Sequence, residues 1–98
     1  MDKIRILIAS SSPGHSKDLA DILIKEQDFL MVGEAADGPA AIKKAEHLLP
    51  DIVIMDTSLP VRDGFGTAAA ITLAHPNIGV ILMDEREDSN TVKQAMMA

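Results

Sequence analysis

The sequence predicts a doubly wound α/β fold, in which a parallel sheet carries helices on both faces. Short apolar runs recur along the chain, segments with helical spacing of apolar residues lie between them, and the connections are short. This alternation implies right-handed crossovers within one small domain. The predicted strands are residues 4–8, 29–36, 52–55 and 80–83.

Four helices are predicted, one after each strand. Ser16 can cap the first helix, and Asp37 is predicted to cap the second, with Pro39 in its first turn. The third helix is predicted over residues 65–74, and the last is predicted to carry Met96 on its apolar face. Each strand is thus followed by a helix that can cover the sheet.

The stretch from residue 51 to residue 64 organises the rest of the chain. Its apolar run is typical of a central parallel strand, and it ends at Asp56, before a loop rich in proline and glycine. Ser10 and Ser11 follow the first strand, and Asp84 follows the fourth. Because the carboxyl ends of parallel strands lie on one side of the sheet, we expect these four side chains to form a shallow pocket.

The composition restricts the classes of function. A net charge of −6 argues against direct binding of nucleic acid, and the absence of cysteine excludes disulfides and thiolate sites. With two phenylalanines as the only aromatic residues, the core must be aliphatic. The early apolar run at residues 6–9 is too short for a signal sequence or a membrane span. We expect a soluble, cytoplasmic domain that does not bind membranes.

The fourth predicted strand would lie at the edge of the sheet. An apolar edge strand exposes unpaired backbone groups to other chains. We therefore expect one domain over residues 1–98 that continues beyond Ala98. A homodimer would be another way to cover this edge.

Residues 32–71 read VGEAADGPAAIKKAEHLLPDIVIMDTSLPVRDGFGTAAAI. This segment resembles the receiver domain of bacterial two-component response regulators, with its P-D-hydrophobic-D strand and its L/M-P-x-x-D-G loop. The resemblance extends over residues 4–98. It implies a flavodoxin-like receiver fold, cut here before its fifth strand. It also implies phosphorylation of Asp56 by a histidine kinase or a small phosphodonor, and a Mg²⁺ ion bound by Asp56 and the carbonyl of Ser58.

Three positions depart from the family pattern. Ser10 and Ser11 replace an acidic pair that binds the cation in the family, and Asp84 replaces a hydroxyl-bearing residue. Serine hydroxyls are neutral and weak ligands for Mg²⁺, so binding of the ion should be weakened. The resemblance therefore favours an atypical receiver that is not an enzyme. It would bind a histidine kinase or an effector or output domain, with Asp56 as the candidate phosphoacceptor. A conventional phosphorylated receiver is the alternative.

A flavin-binding redox protein is a second alternative. Residues 10–16, SSSPGHS, also resemble the phosphate loop of flavodoxin-like proteins, where hydroxyls and backbone N–H groups hold the FMN phosphate. The scarcity of aromatic residues leaves little to flank the flavin ring. His15, His47 and His75 lack metal-ligand spacing and are interpreted as loop or helix-surface residues.

Overall fold

The computed structural model describes residues 3–84 and 96–97. One sheet organises the fold, with the strand order β2-β1-β3-β4-β5. The first four strands are parallel, as predicted, and β5 runs antiparallel to β4. The strands are β1 (Ile4–Ala9), β2 (Phe29–Ala35), β3 (Ile52–Asp56), β4 (Gly79–Met83) and β5 (Met96–Met97). The helices are α1 (Pro13–Leu23), α2 (Gly38–Leu48) and α3 (Gly64–Ala74).

The prediction of a helix at Met96 is wrong for this residue. Met96 pairs with Leu82 in an antiparallel bridge between β5 and β4. The backbone groups along the edge of β4 need partners, and two residues of β5 supply some of them. The other residues of that predicted helix lie outside the described part of the chain. Within the described residues, the parallel part of the sheet ends at β4.

The main core lies between the sheet and helices α2 and α3, and it is aliphatic. Alternate strand residues face this side, with small alanines from the helices packed against them. The alanines allow both helices to lie close to the sheet. Phe29 is half-buried and Phe65 is exposed, so neither aromatic residue belongs to the buried core. The core includes Leu7, Ala9, Ala41, Ala45, Val53, Met55, Ala68, Ile71, Val80 and Leu82.

The helix starts show which capping signals operate. Asp37 caps α2 as predicted, because its Oδ1 accepts a hydrogen bond of 2.8 Å from Ala40 N. Ser16 does not cap α1: the cap is Ser12, and the helix begins at Pro13. Proline favours the first helical position because it has no N–H to leave unpaired there. Ser16 is instead buried within the helix, with its Oγ 3.3 Å from Glu34 Oε1.

The loop between β3 and α3 contains a tight turn centred on Val61. The N–H of Arg62 donates to the carbonyl of Pro60 over 2.7 Å, and Val61 has a φ of 69°. This left-handed conformation is unfavourable for a β-branched residue. Its side chain is 84% exposed, so no packing interaction offsets the strain. Contacts made by other residues of the loop must therefore hold this turn in its strained conformation.

Val61→Gly is expected to raise the free energy of unfolding by about 1 kcal/mol, because glycine adopts positive φ freely and only part of that gain is offset by its greater unfolded-state entropy. Urea denaturation followed by far-UV circular dichroism measures the change. Val61→Ala retains a Cβ and should gain less. A glycine variant no more stable than the wild type would contradict the assignment of strain to this turn.

Candidate functional site

The carboxyl ends of β1, β3 and β4 meet at one edge of the sheet. Ala9 pairs with Met55, so Ser10 follows β1 beside the position where Asp56 ends β3. Asp56 itself pairs with Met83, and Asp84 is the next residue along. The parallel register therefore places these polar residues at the same edge of the sheet.

Asp56 is buried, with 3% of its surface exposed. Ser10, also buried, donates a hydrogen bond of 2.6 Å from its Oγ to Asp56 Oδ2. The same Oγ accepts a bond of 3.1 Å from the backbone N–H of Ser12. A buried carboxylate is costly without hydrogen-bond donors, so this serine is an essential partner for Asp56.

His15 is the second side chain at Asp56, a contact that the sequence did not predict. Its Nδ1 lies 3.4 Å from Asp56 Oδ1, within the distance at which a protonated imidazole forms an ion pair with a carboxylate. His15 does lie on helix α1, as interpreted, but its side chain also contacts Asp56. It lies in the first turn of α1, where the backbone brings its side chain over the end of β3. The sequence signal was its place five residues after Ser10, at the start of the helix that follows β1.

The other predicted site residues are exposed. Ser11 lies at the surface after β1, Ser58 lies in the turn two residues beyond Asp56, and Asp84 is exposed after β4. The N–H of Thr57 donates to the carbonyl of Met83 over 3.0 Å and so ties the two strand ends together. The structure thus brings Ser10 and His15 to the buried carboxylate and leaves Ser11, Ser58 and Asp84 at the surface.

The loop after β3 is packed against the strand through Gly64. The Gly64 N–H donates to the carbonyl of Thr57 over 2.9 Å. A Cβ at this position would lie 2.3 Å from the carbonyl oxygen of Asp56 and 2.7 Å from Thr57 Cα. Only glycine allows the start of α3 to approach the backbone of the site so closely.

A resident Mg²⁺ ion is usually held by one or two carboxylates together with other oxygen ligands. No group of three or more His, Asp or Glu side chains arranged to hold an ion occurs within residues 3–84. The site supplies one buried carboxylate, one buried hydroxyl and one partly exposed imidazole. Such a set is poor in the oxygen anions that Mg²⁺ prefers.

Residues 6–98 match the protein family described as response regulator receiver domain. The chain belongs to the receiver domain family. The match covers nearly the whole chain, including all the strand ends at the site. Receiver domains act in two-component signal transduction and typically bind Mg²⁺. Membership of this family removes the basis for the flavin-binding alternative.

Curated relatives carry the receiver domain within longer proteins. The chain is 34% identical over 95 residues to a protein-glutamate methylesterase/protein-glutamine glutaminase of Methanospirillum hungatei, covering 97% of the chain and 27% of the relative. It is 45% identical over 67 residues to the transcriptional regulatory protein PdtaR of Mycobacterium tuberculosis, covering 68% of the chain and 32% of the relative. The chain thus spans about a quarter to a third of these proteins.

Solved structures agree with the fold. The response regulator domain of Thermotoga maritima CheB superposes with a TM-score of 0.81 at 32% identity, covering 89% of this receiver domain and 65% of that chain. A CheX–CheY complex from Borrelia burgdorferi, containing BeF₃⁻ and Mg²⁺, gives 0.81 at 28% identity, covering 94% and 69%. In the described part of the receiver domain, no helix has the length and apolar character of a membrane span.

Proposed function

We propose that this chain is an atypical receiver domain that regulates signalling by binding a protein partner, with Asp56 as a weak candidate phosphoacceptor. The observation that supports this most is the 2.6 Å hydrogen bond from Ser10 to Asp56. A neutral hydroxyl stands where the family pattern has an acid, and it occupies one oxygen of the carboxylate. The domain is a regulatory module in the cytoplasm and not an enzyme.

The proposed partners are a histidine kinase or an effector or output domain. The curated relatives support an output domain, since their names describe a methylesterase and a transcriptional regulator. The solved complex of a receiver with CheX supports recognition by a separate protein. A homodimer through the edge of the sheet beyond β4 is a further arrangement of the same module. We propose no direct contact with nucleic acid or membrane.

Within this proposal, Asp56 and the carbonyl of Ser58 bind Mg²⁺ only weakly. Ser10 and Ser11 contribute no negative charge, and Asp84 lies exposed at the surface. An anion at that position opposes a phosphoryl group on Asp56 by like-charge repulsion. These features favour the atypical receiver over the conventional one.

Intact-mass measurement after exposure to acetyl phosphate and MgCl₂ tests the proposal. Phosphorylation would add a phosphoryl group to a carboxylate oxygen of Asp56 and release acetate. We expect little or no adduct on the wild type. We expect a clear adduct on a variant that restores the family pattern with Ser10→Asp, Ser11→Asp and Asp84→Thr, because the added acids attract the cation.

The control is Asp56→Asn, which must remain unlabelled in both backgrounds. Stoichiometric labelling of the wild type that disappears in Asp56→Asn would show a conventional phosphorylated receiver and would refute the atypical assignment.

A further inference from the structure

Both carboxylate oxygens of Asp56 lie against one short segment of its own chain. Ser10 contacts Oδ2 at 2.6 Å, and His15 contacts Oδ1 at 3.4 Å. We call the cluster of Ser10, Ser12 and His15 the β1–α1 cap, which is distinct from the N-terminal cap of helix α1. We infer that this cap takes the position of a divalent cation over Asp56, and that His15 competes with Mg²⁺ for the carboxylate. The inference rests on the proposed function and names how the site departs from cation binding.

The Ser10 side of the cap is a short chain of hydrogen bonds. The serine hydroxyl has one proton, and its 2.6 Å contact with Asp56 Oδ2 is far shorter than its 3.4 Å contact with the carbonyl of Ser12. The proton therefore points to the carboxylate. The N–H of Ser12 donates to the same hydroxyl over 3.1 Å and strengthens it as a donor.

The His15 side of the cap is positioned by the start of α1. Ser12 caps the helix and accepts a hydrogen bond of 3.3 Å from the backbone N–H of His15. Pro13 restricts the backbone between them. The imidazole is thus held above the end of β3, where its own side chain is 26% exposed while that of Asp56 is 4% exposed. The histidine thus lies between the buried carboxylate and solvent.

The donor set does not fit a magnesium ion. Mg²⁺ requires near-octahedral oxygen ligands and usually takes one or two carboxylates. The pocket has one buried carboxylate, and an ion at its Oδ1 would have to displace the imidazole of His15. The nearby hydroxyl of Ser10 already donates its proton to the other oxygen. A cation would therefore replace existing contacts of Asp56 instead of filling an open site.

Binding of Mn²⁺, used as a probe for the Mg²⁺ position, tests the role of His15. Free Mn²⁺ is measured by electron paramagnetic resonance with the full chain. The proteins are the wild type, an acid-restored variant with Ser10→Asp and Ser11→Asp, and the same variant with His15→Leu added. A matched control adds His47→Leu instead, because His47 is exposed on α2.

We expect no specific Mn²⁺ binding to the wild type and measurable binding to the acid-restored variant. Adding His15→Leu should tighten that binding about 10-fold, because the ion no longer displaces a contact to a charged group. His47→Leu should leave it unchanged, and Asp56→Asn should abolish it. If the leucine variant fails to fold, His15→Gln is compared in its place.

Two results would overturn the inference. One is equal Mn²⁺ affinity with and without the His15 substitution in the folded acid-restored protein. The other is wild-type binding as tight as in the acid-restored variant, with paramagnetic broadening centred on the amide of residue 56. Both results come from Mn²⁺ binding and do not depend on phosphorylation. A phosphoryl adduct on Asp56 formed without added cation would refute the proposed function but would leave this inference intact.

Discussion

Gly64→Ala is expected to lower the free energy of unfolding by about 3 kcal/mol, at the upper end of the usual effect of overpacking. The added Cβ would lie 2.3 Å from the carbonyl oxygen of Asp56 and 2.7 Å from Thr57 Cα. Both are backbone atoms of the site and cannot move aside as a flexible side chain can. The start of α3 would have to shift away from β3, together with the loop that surrounds Asp56.

Far-UV circular dichroism during urea denaturation measures this loss, since the chain has no tryptophan or tyrosine for fluorescence. Gly14→Ala is the matched control, because a Cβ there meets nothing within 4 Å. Gly14→Ala should leave the free energy of unfolding unchanged or raise it slightly, because this residue lies within α1. If both alanine variants unfold at the same urea concentration, the close approach of α3 to the site is refuted.

Ser10→Ala is expected to lower the free energy of unfolding by about 2 kcal/mol, because a hydrogen bond to a buried charged group is lost. The serine is the donor to Asp56 Oδ2, and Asp56 is almost completely removed from solvent. Alanine provides no donor, and it also leaves the N–H of Ser12 without its acceptor on Ser10. The effect should be among the largest of any single change at the pocket.

A double-mutant cycle separates the two contributions. In an Asp56→Asn background the loss caused by Ser10→Ala should fall to about half, since a neutral amide requires less compensation than a carboxylate. Ser11→Ala is the control: this residue is exposed, so its change should stay within about 0.5 kcal/mol. Equal losses from Ser10→Ala in both backgrounds would mean that the serine does not stabilise the charge of Asp56.

Local patterns determined much of the fold. The apolar run before Asp56 predicted a buried parallel strand, and Asp37 was identified as a helix cap from its position before Gly38 and Pro39. The glycine inside the β2 pattern coincides with a shift of register between β1 and β2, since Ile6 pairs with Met31 and Leu7 pairs with Gly33. These features depend on neighbouring residues, whose chemistry is visible in the sequence.

The wrong prediction of Ser16 as the cap of α1 arose because two nearby serines could each cap a helix. Ser12 and Ser16 are both suitable caps, and the choice between them depends on where the helix begins. Pro13 favours Ser12, and Ser16 instead makes a partly buried hydrogen bond to Glu34 on β2. The error at Met96 has a different source, since a residue near an open sheet edge can pair with a distant strand whatever its helical pattern.

The sequence by itself determined that Asp56 ends a buried strand among polar strand ends, and the family pattern marked Ser10 and Ser11 as departures. Only the tertiary structure decided which groups contact the carboxylate. Ser10 and Asp56 are 46 residues apart and meet because β1 and β3 are neighbours in the sheet. His15 reaches Asp56 because α1 starts above that edge. Such contacts depend on strand order and helix placement, which spacing along a chain does not specify.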